Sequence, residues 1–334
     1  MRESIELNKR YTVLSDFSDT LKLYNIPNFY FDKIRKHKNV YKLFVQIDLT
    51  EICMDQCEIF FGHRLTTNHI VKMPKLKWIH LGTSGYDKID LNYCKQNNIC
   101  VTNSSTLLAE SVASHALSFL FTMLRWTHFN LTQTDSNDFS RKNFDQNFER
   151  ILTPSSSKVL LFGSGQASIK LSGWLASLGF QVGIVSLSNR LIQNLAPGIV
   201  QIQENMVDQI LNDQDYIINL LPYRTDTHNY FDKEKFARFS SKTNYISVGR
   251  GKTTDEVALV ESLTLGQIGG AGIDVFSNEP LKSSSALFKC KNLLMTPHVA
   301  AMSKDYWQNQ TKHFLENLED FSSGGTLQDQ ITRS

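Results

Sequence analysis

Residues Val159-Leu160-Leu161-Phe162-Gly163-Ser164-Gly165-Gln166-Ala167-Ser168 decide how the chain is read. A short apolar run bounded by glycine fits a buried strand of a parallel sheet. It runs directly into Gly-x-Gly. A helix follows, with Leu171, Trp174, Leu175 and Leu178 on one face and Gly179 as its stop. A second strand, Val182 to Val185, comes next. Strand, glycine turn, helix and strand make the setting in which a dinucleotide is held. Gly163 permits the tight turn. Gly165 lets the backbone approach a pyrophosphate, and Gln166 and Ala167 open the helix whose N-terminus faces that anion. The third position of the pattern is Ser168 instead of glycine, so helix and strand should pack less closely there or shift.

The end of the second strand bears on the cofactor. An acid at this point would bond the ribose 2′-hydroxyl of NAD. The chain has Ser186-Leu187-Ser188-Asn189-Arg190 and no acid. Ser186, Ser188 and Arg190 suit a 2′-phosphate, so the reading leans to NADP over NAD.

Downstream, three strand-like runs each deliver a polar side chain. Tyr245 to Gly249 precedes Arg250, Ile273 to Phe276 precedes Glu279, and Leu293 to Pro297 precedes His298. Ligands of an open α/β sheet bind at the carboxyl ends of its strands, so the three should meet at one sheet edge. A guanidinium can hold a carboxylate or carbonyl oxygen by two charge-assisted bonds. An imidazole can give a new hydroxyl its proton and take it back. A carboxylate on the other ring nitrogen would orient the imidazole and favour its protonated form. Together they suit reduction of a 2-keto acid.

Ser247-Val248-Gly249-Arg250-Gly251, Asp274-Val275-Phe276-Ser277-Asn278-Glu279-Pro280 and Pro297-His298 resemble the motifs of the D-isomer-specific 2-hydroxyacid dehydrogenases. The Gly-Arg-Gly wording is most similar to the glyoxylate/hydroxypyruvate reductase branch. The resemblance implies that Arg250 binds substrate, that His298 is the acid/base and that Glu279 is its partner. By the same resemblance Asp274 bonds the nicotinamide amide, with Val112, Val248, Arg250 and His298 beside the ring. Leu221, Pro222 and Thr227 would pass the adenosine and ribose. The amides of Ser84 and Gly85, in Gly82-Thr83-Ser84-Gly85-Tyr86-Asp87, would bind the substrate carboxylate. The chain departs from the family where Ser247 replaces an Asn and Ser114 replaces a Glu.

The 334 residues are enough for two domains. With 35 basic and 33 acidic residues, a net charge of +2 points to neither nucleic acid nor a membrane surface. No apolar run reads as long enough to span a bilayer, and the N-terminus lacks an apolar signal core, so a cytoplasmic protein is expected. Five cysteines without CxxC spacing imply reduced thiols and no metal site. The expected architecture is α/β, with two Rossmann-like or flavodoxin-like parallel-sheet domains and an interdomain cleft. Residues 1–103 plus 300–334 would bind substrate, and 104–299 the dinucleotide. Leu107 to Arg125 reads as a long buried helix, through which the family suggests a homodimer. Residues 127–157 read as a surface connection. Ser303 to Phe321 reads as a helix, and Ser322 to Ser334 as a partly mobile tail. The expected reaction is NAD(P)H-dependent reduction of a glyoxylate- or hydroxypyruvate-like 2-keto acid to the D-2-hydroxy acid. The alternatives are a phosphoglycerate or lactate-type dehydrogenase of the same family, or a non-catalytic dinucleotide sensor.

Overall fold

The computed structural model describes residues 9–17, 25–45, 51–127, 141–188, 191–193 and 195–331. The chain divides into two compact units, Met1–Leu108 with Ser303–Ser334, and Ala109–Met302. Each is built on its own parallel sheet.

The first unit holds strands β1 (Tyr11–Asp16), β2 (Val40–Val45), β3 (Ile59–Gly62), β4 (Trp78–Leu81) and β5 (Cys100–Thr102), in the order β2-β1-β3-β4-β5. The second holds β6 (Lys158–Phe162), β7 (Gln181–Ser186), β8 (Ile199–Gln203), β9 (Tyr216–Asn219), β10 (Asn244–Ser247), β11 (Gly270–Ile273) and β12 (Leu293–Met295), in the order β12-β11-β10-β9-β6-β7-β8. The four longest helices among the described residues are α1 (Ser105–Leu124), α2 (Gln166–Ser177), α3 (Glu256–Thr264) and α4 (Tyr306–Ser323).

Central strands are apolar on both sides because helices cover both faces of a parallel sheet. Val159, Leu161, Ile218 and Ile246 enter one core with α1 and α2, while Leu160, Phe162, Ile217 and Tyr245 enter the other with α3. β11 corrects the sequence reading. The strand is Gly-Ala-Gly-Ile and stops at Ile273, where a strand through Phe276 was expected. Glycine disfavours strands, but packing overrides it here. A Cβ at Gly272 would lie 2.9 Å from the Phe119 ring, so only glycine lets α1 lie this close.

α1 overturns a second expectation. By length and composition it is apolar enough to cross a bilayer, with a mean hydropathy of 1.5. Its apolarity has a use inside the fold, since Ala113, Ala116, Phe119, Leu120, Met123 and Leu124 all lie in the core of the second unit. Among the described residues no cysteine forms a disulfide; burial pushes the Cys57 thiol up to about 12 and the Cys94 thiol up to about 11.

The tail expected to be partly mobile, Ser322 to Ser334, is bonded to the fold over Asp329 to Ile331; residues 332–334 lie outside the described residues. Ile331 N donates to Val101 O at 2.8 Å, and Gln330 bridges Thr102 in antiparallel sense. The Asp329 carboxylate accepts from Thr106 N at 3.0 Å, Thr106 Oγ1 at 2.5 Å and Ser105 Oγ at 3.3 Å. It thus satisfies first-turn donors of α1 that have no partner within the helix. Polar side chains made this segment read as solvated, but their bonds are made to the fold. Asp329→Ala should lower the unfolding free energy by about 1–3 kcal/mol in urea titrations. An unchanged midpoint would remove the carboxylate from that role.

Candidate active site

The glycine turn after β6 is shaped by one close approach and one opening. Gly163 has φ +111°, and a Cβ there would meet Leu220 O at 3.0 Å. Gly165 starts α2, and no atom outside its own neighbours would lie within 4 Å of a Cβ built on it. Space therefore stands beside the backbone where the helix begins, with the first-turn amides of Gln166 and Ala167 lacking acceptors inside the helix. That fits a pyrophosphate. Ser168 is buried, so the helix accommodates a hydroxymethyl at the third position of the pattern.

Ser186 closes β7. Its hydroxyl lies 3.1 Å from Ser164 Oγ and 3.0 Å from Ser188 Oγ, and it donates to Ser188 O at 3.0 Å. A cluster of small hydroxyls thus links the glycine turn to the strand end where an acid would select NAD. Arg190 lies outside the described residues.

β9 brings Asn219 to the same edge, which the sequence reading missed. Its side-chain amide donates to Tyr245 OH at 2.9 Å, Ser247 Oγ at 3.2 Å and Thr253 Oγ1 at 2.8 Å, and its Oδ1 accepts from Leu221 N at 3.0 Å. Thr253 Oγ1 in turn donates to Arg250 O at 2.6 Å. Asn219 therefore sets the course of the Leu221 loop and, through Thr253, of the Arg250 loop. Ser247 is fully buried and fills its place in this network. Leu221 is buried and Pro222 exposed. Thr227 is fully buried; its hydroxyl donates to Pro222 O at 2.7 Å and accepts from Arg224 N at 2.7 Å, so it shapes the turn.

β10, β11 and β12 are neighbours, and Arg250, Glu279 and His298 follow their carboxyl ends. Gly251 lets two of these loops touch, since a Cβ there would fall 2.0 Å from the Phe276 carbonyl carbon. Glu256 of α3 accepts from Ser277 N at 2.5 Å, fixing the loop that carries Glu279. Glu279 Oε1 accepts from Phe276 N at 2.9 Å, and Oε2 lies 2.6 Å from His298 Nδ1. Burial alone would raise the Glu279 carboxyl. The His298 hydrogen bond, the Phe276 amide, and the His298 and Arg250 charges outweigh that and hold it below its ordinary value. An ionised carboxylate only accepts, so His298 Nδ1 carries a proton and Nε2 is left for chemistry. The imidazole is 46% exposed, open enough to meet a small molecule.

His298 has φ +56°, a left-handed backbone that costs a non-glycine residue about 1–2 kcal/mol. Asp274 holds it. This carboxylate is fully buried and accepts from Val299 N at 2.8 Å, Ala300 N at 2.9 Å and Thr296 Oγ1 at 2.6 Å. Thr296 and His115, whose Nε2 is 2.8 Å from Thr296 Oγ1, also escaped the sequence reading. Val248 is buried in the core that also contacts Val112.

Ser84 and Gly85 belong to the other unit. The turn's carbonyls point inward: Gly82 O accepts from Tyr306 OH and Gln310 Nε2, both at 2.9 Å, Ser84 O from Asn103 Nδ2 at 2.7 Å, and Gly85 O from Thr83 Oγ1 at 2.8 Å. The amides of Ser84 and Gly85 have no acceptor among the described residues. Two adjacent free donors can take a carboxylate.

A carboxyl lowered by folding stabilises the protein above its unfolded value and loses that contribution as pH falls through the folded one. The stability margin of the native chain over Glu279→Gln should therefore stay level above pH 4.5, the ordinary value, and shrink below it. Urea unfolding at stepped pH measures this; a margin that stays level into acid would contradict the lowered carboxyl.

Residues 117–300 match the family model described as D-isomer specific 2-hydroxyacid dehydrogenase, NAD binding domain. Glyoxylate/hydroxypyruvate reductase B of Klebsiella pneumoniae subsp. pneumoniae is 27% identical over 260 residues, covering 76% of this chain and 77% of its own. The PH0520 protein of Pyrococcus horikoshii OT3 superposes with a TM-score of 0.82 at 22% identity, covering 97% of this chain and 96% of the other. An NADPH-dependent glyoxylate/hydroxypyruvate reductase of Sinorhizobium meliloti, solved with NADP and malonate, gives a TM-score of 0.75 at 22% identity, covering 97% of each chain. The family match spans more than half of the chain, including the glycine turn and the loops after β10, β11 and β12. The chain belongs to the D-isomer specific 2-hydroxyacid dehydrogenases and is an NAD(P)-dependent oxidoreductase.

Proposed function

We propose that the chain reduces a short 2-keto acid of the glyoxylate or hydroxypyruvate kind to the D-2-hydroxy acid. The observation that carries this is the 2.6 Å contact of Glu279 with His298, with the Arg250 charge acting on the same carboxylate. Glu279 keeps the Nδ1 proton in place and stabilises the imidazolium. His298 Nε2 gives its proton to the carbonyl oxygen as that oxygen becomes a hydroxyl. Arg250 is assigned the substrate's carboxylate or carbonyl oxygen, which a planar fork of donors suits.

Gly163, Gly165, Gln166 and Ala167 would hold the pyrophosphate, and Leu221, Pro222 and the turn built by Thr227 would border the adenosine and ribose. A bound nicotinamide supplies the hydride equivalent. Val112, Val248 and Asp274 are assigned its surroundings. The hydroxyls at the end of β7 carry no charge to repel a 2′-phosphate, which favours NADPH. The curated relative's name, a glyoxylate/hydroxypyruvate reductase, supports the substrate class.

The test is turnover. Glyoxylate, hydroxypyruvate, pyruvate and a bulkier 2-keto acid are offered with NADPH and with NADH, to the native chain and to His298→Asn. The smallest acids with NADPH should be reduced fastest, and His298→Asn should lose about 10²–10⁴ in rate while still binding nucleotide. No turnover with any of these acids would overturn the substrate class. A His298→Asn rate near native would overturn the acid/base assignment.

We also infer a homodimer through α1, where Leu117 and Phe121 stay partly exposed although they pack against the core. Light scattering should give twice the chain mass, and a monomer mass at micromolar concentration would overturn it.

A further inference from the structure

We propose that His115, Thr296 and Asp274 form a directed hydrogen-bond strap that fixes the His298 backbone, so that His115 is a positioning residue for the imidazole. This rests on the assignment of His298 as acid/base made above.

The direction follows from counting protons. Thr296 Oγ1 has one proton, and the acceptor 2.6 Å away is the Asp274 carboxylate, which has none to give. The threonine oxygen is then only an acceptor toward the nitrogen 2.8 Å away, so His115 Nε2 must be the donor. The chain of bonds runs from His115 to Thr296 to Asp274. His115 Nε2 also stands 3.6 Å from Asp274 Oδ1.

The strap encloses His298. Thr296 precedes it by two residues, and the amides of Val299 and Ala300 follow it directly. All three donate to Asp274. His298 N itself returns to Thr296 O at 3.0 Å. One buried carboxylate thus clamps the loop on both sides of a residue whose backbone is held at φ +56°. His115 stands on α1, whose apolar side is packed in the core, with its ring set edge-on against Phe119 at 4.9 Å. The helix thereby supplies a fixed point for a loop that would otherwise relax. Neither His115 nor Thr296 is assigned to substrate or nucleotide in this scheme. Loss of the donor should alter the direction in which His298 Nε2 points and leave the binding surfaces in place.

The experiment compares His115→Leu, which removes the donor, with His115→Gln, whose amide restores one. The readouts are kcat and KM for the preferred keto acid, and NADPH affinity by nicotinamide fluorescence. His298→Asn runs in parallel. His115→Leu should lower kcat about tenfold or more, as small misplacements of a reacting group do. KM and nucleotide affinity should move less than about twofold, since ground-state contacts are untouched. His115→Gln should recover most of the rate. If His115→Leu does not fold, Thr296→Val against Thr296→Ser decides on the same terms, the serine restoring the hydroxyl. Native kcat in the donorless variant, equal losses in the donorless and donor-bearing variants, or a loss confined to KM or nucleotide affinity would each overturn the strap. If His298→Asn is inactive while His115→Leu is native, the strap alone has failed. If His298→Asn turns over at the native rate, the acid/base assignment has failed first.

Discussion

The Asp274 carboxylate is the constraint on which the site depends. It is buried completely, and a buried charge persists only when donors satisfy it. Its donors come from one loop: two backbone amides and a threonine hydroxyl. Satisfying the charge therefore fixes the loop, and fixing the loop forces His298 into a left-handed backbone it would not choose alone. In that position Nδ1 lies 2.6 Å from Glu279. The imidazole's position is set by a carboxylate that does not touch it.

Close backbone contact is the second requirement. The loops bearing Arg250 and Glu279 meet because Gly251 has no Cβ to strike Phe276, and β11 lies against α1 because Gly272 has none to strike Phe119. Gly272 is a poor former of the strand it occupies. Both glycines are tolerated because side-chain volume at either place would separate elements the site needs together. Asn219 does the complementary work with polar atoms, tying β9 to β10 and to the Arg250 loop from a fully buried position.

Several elements were legible from the residues alone. The apolar run of β6, the Gly-x-Gly and the amphipathic helix after it are local patterns with local causes. The polar residues after β10 and β12 were legible as strand-end residues because both apolar runs are short and bounded. The extent of β11 was not, since its glycines argue against a strand until Phe119 is placed over them. The segment Asp329 to Ile331 was misread for a related cause: the Asp329 acceptor and the Thr106 donors it serves are far apart in the chain. α1 was legible as a long buried helix, although by composition alone an apolar helix reads the same whether a core or a lipid surrounds it.

The sequence by itself determined the alternation of strands and helices, the chemical kinds at the strand ends, and the absence of an acid after β7. These depend on periodicity and on residue type, which are written locally. Only the tertiary structure decided that His115 reaches Thr296, that Asn219 braces the Arg250 loop, and that Asp274, after β11, holds the loop after β12 on both sides of His298. Those pairings join residues far apart in sequence, and their energy comes from satisfying buried polar groups. No local pattern encodes which distant donor will arrive.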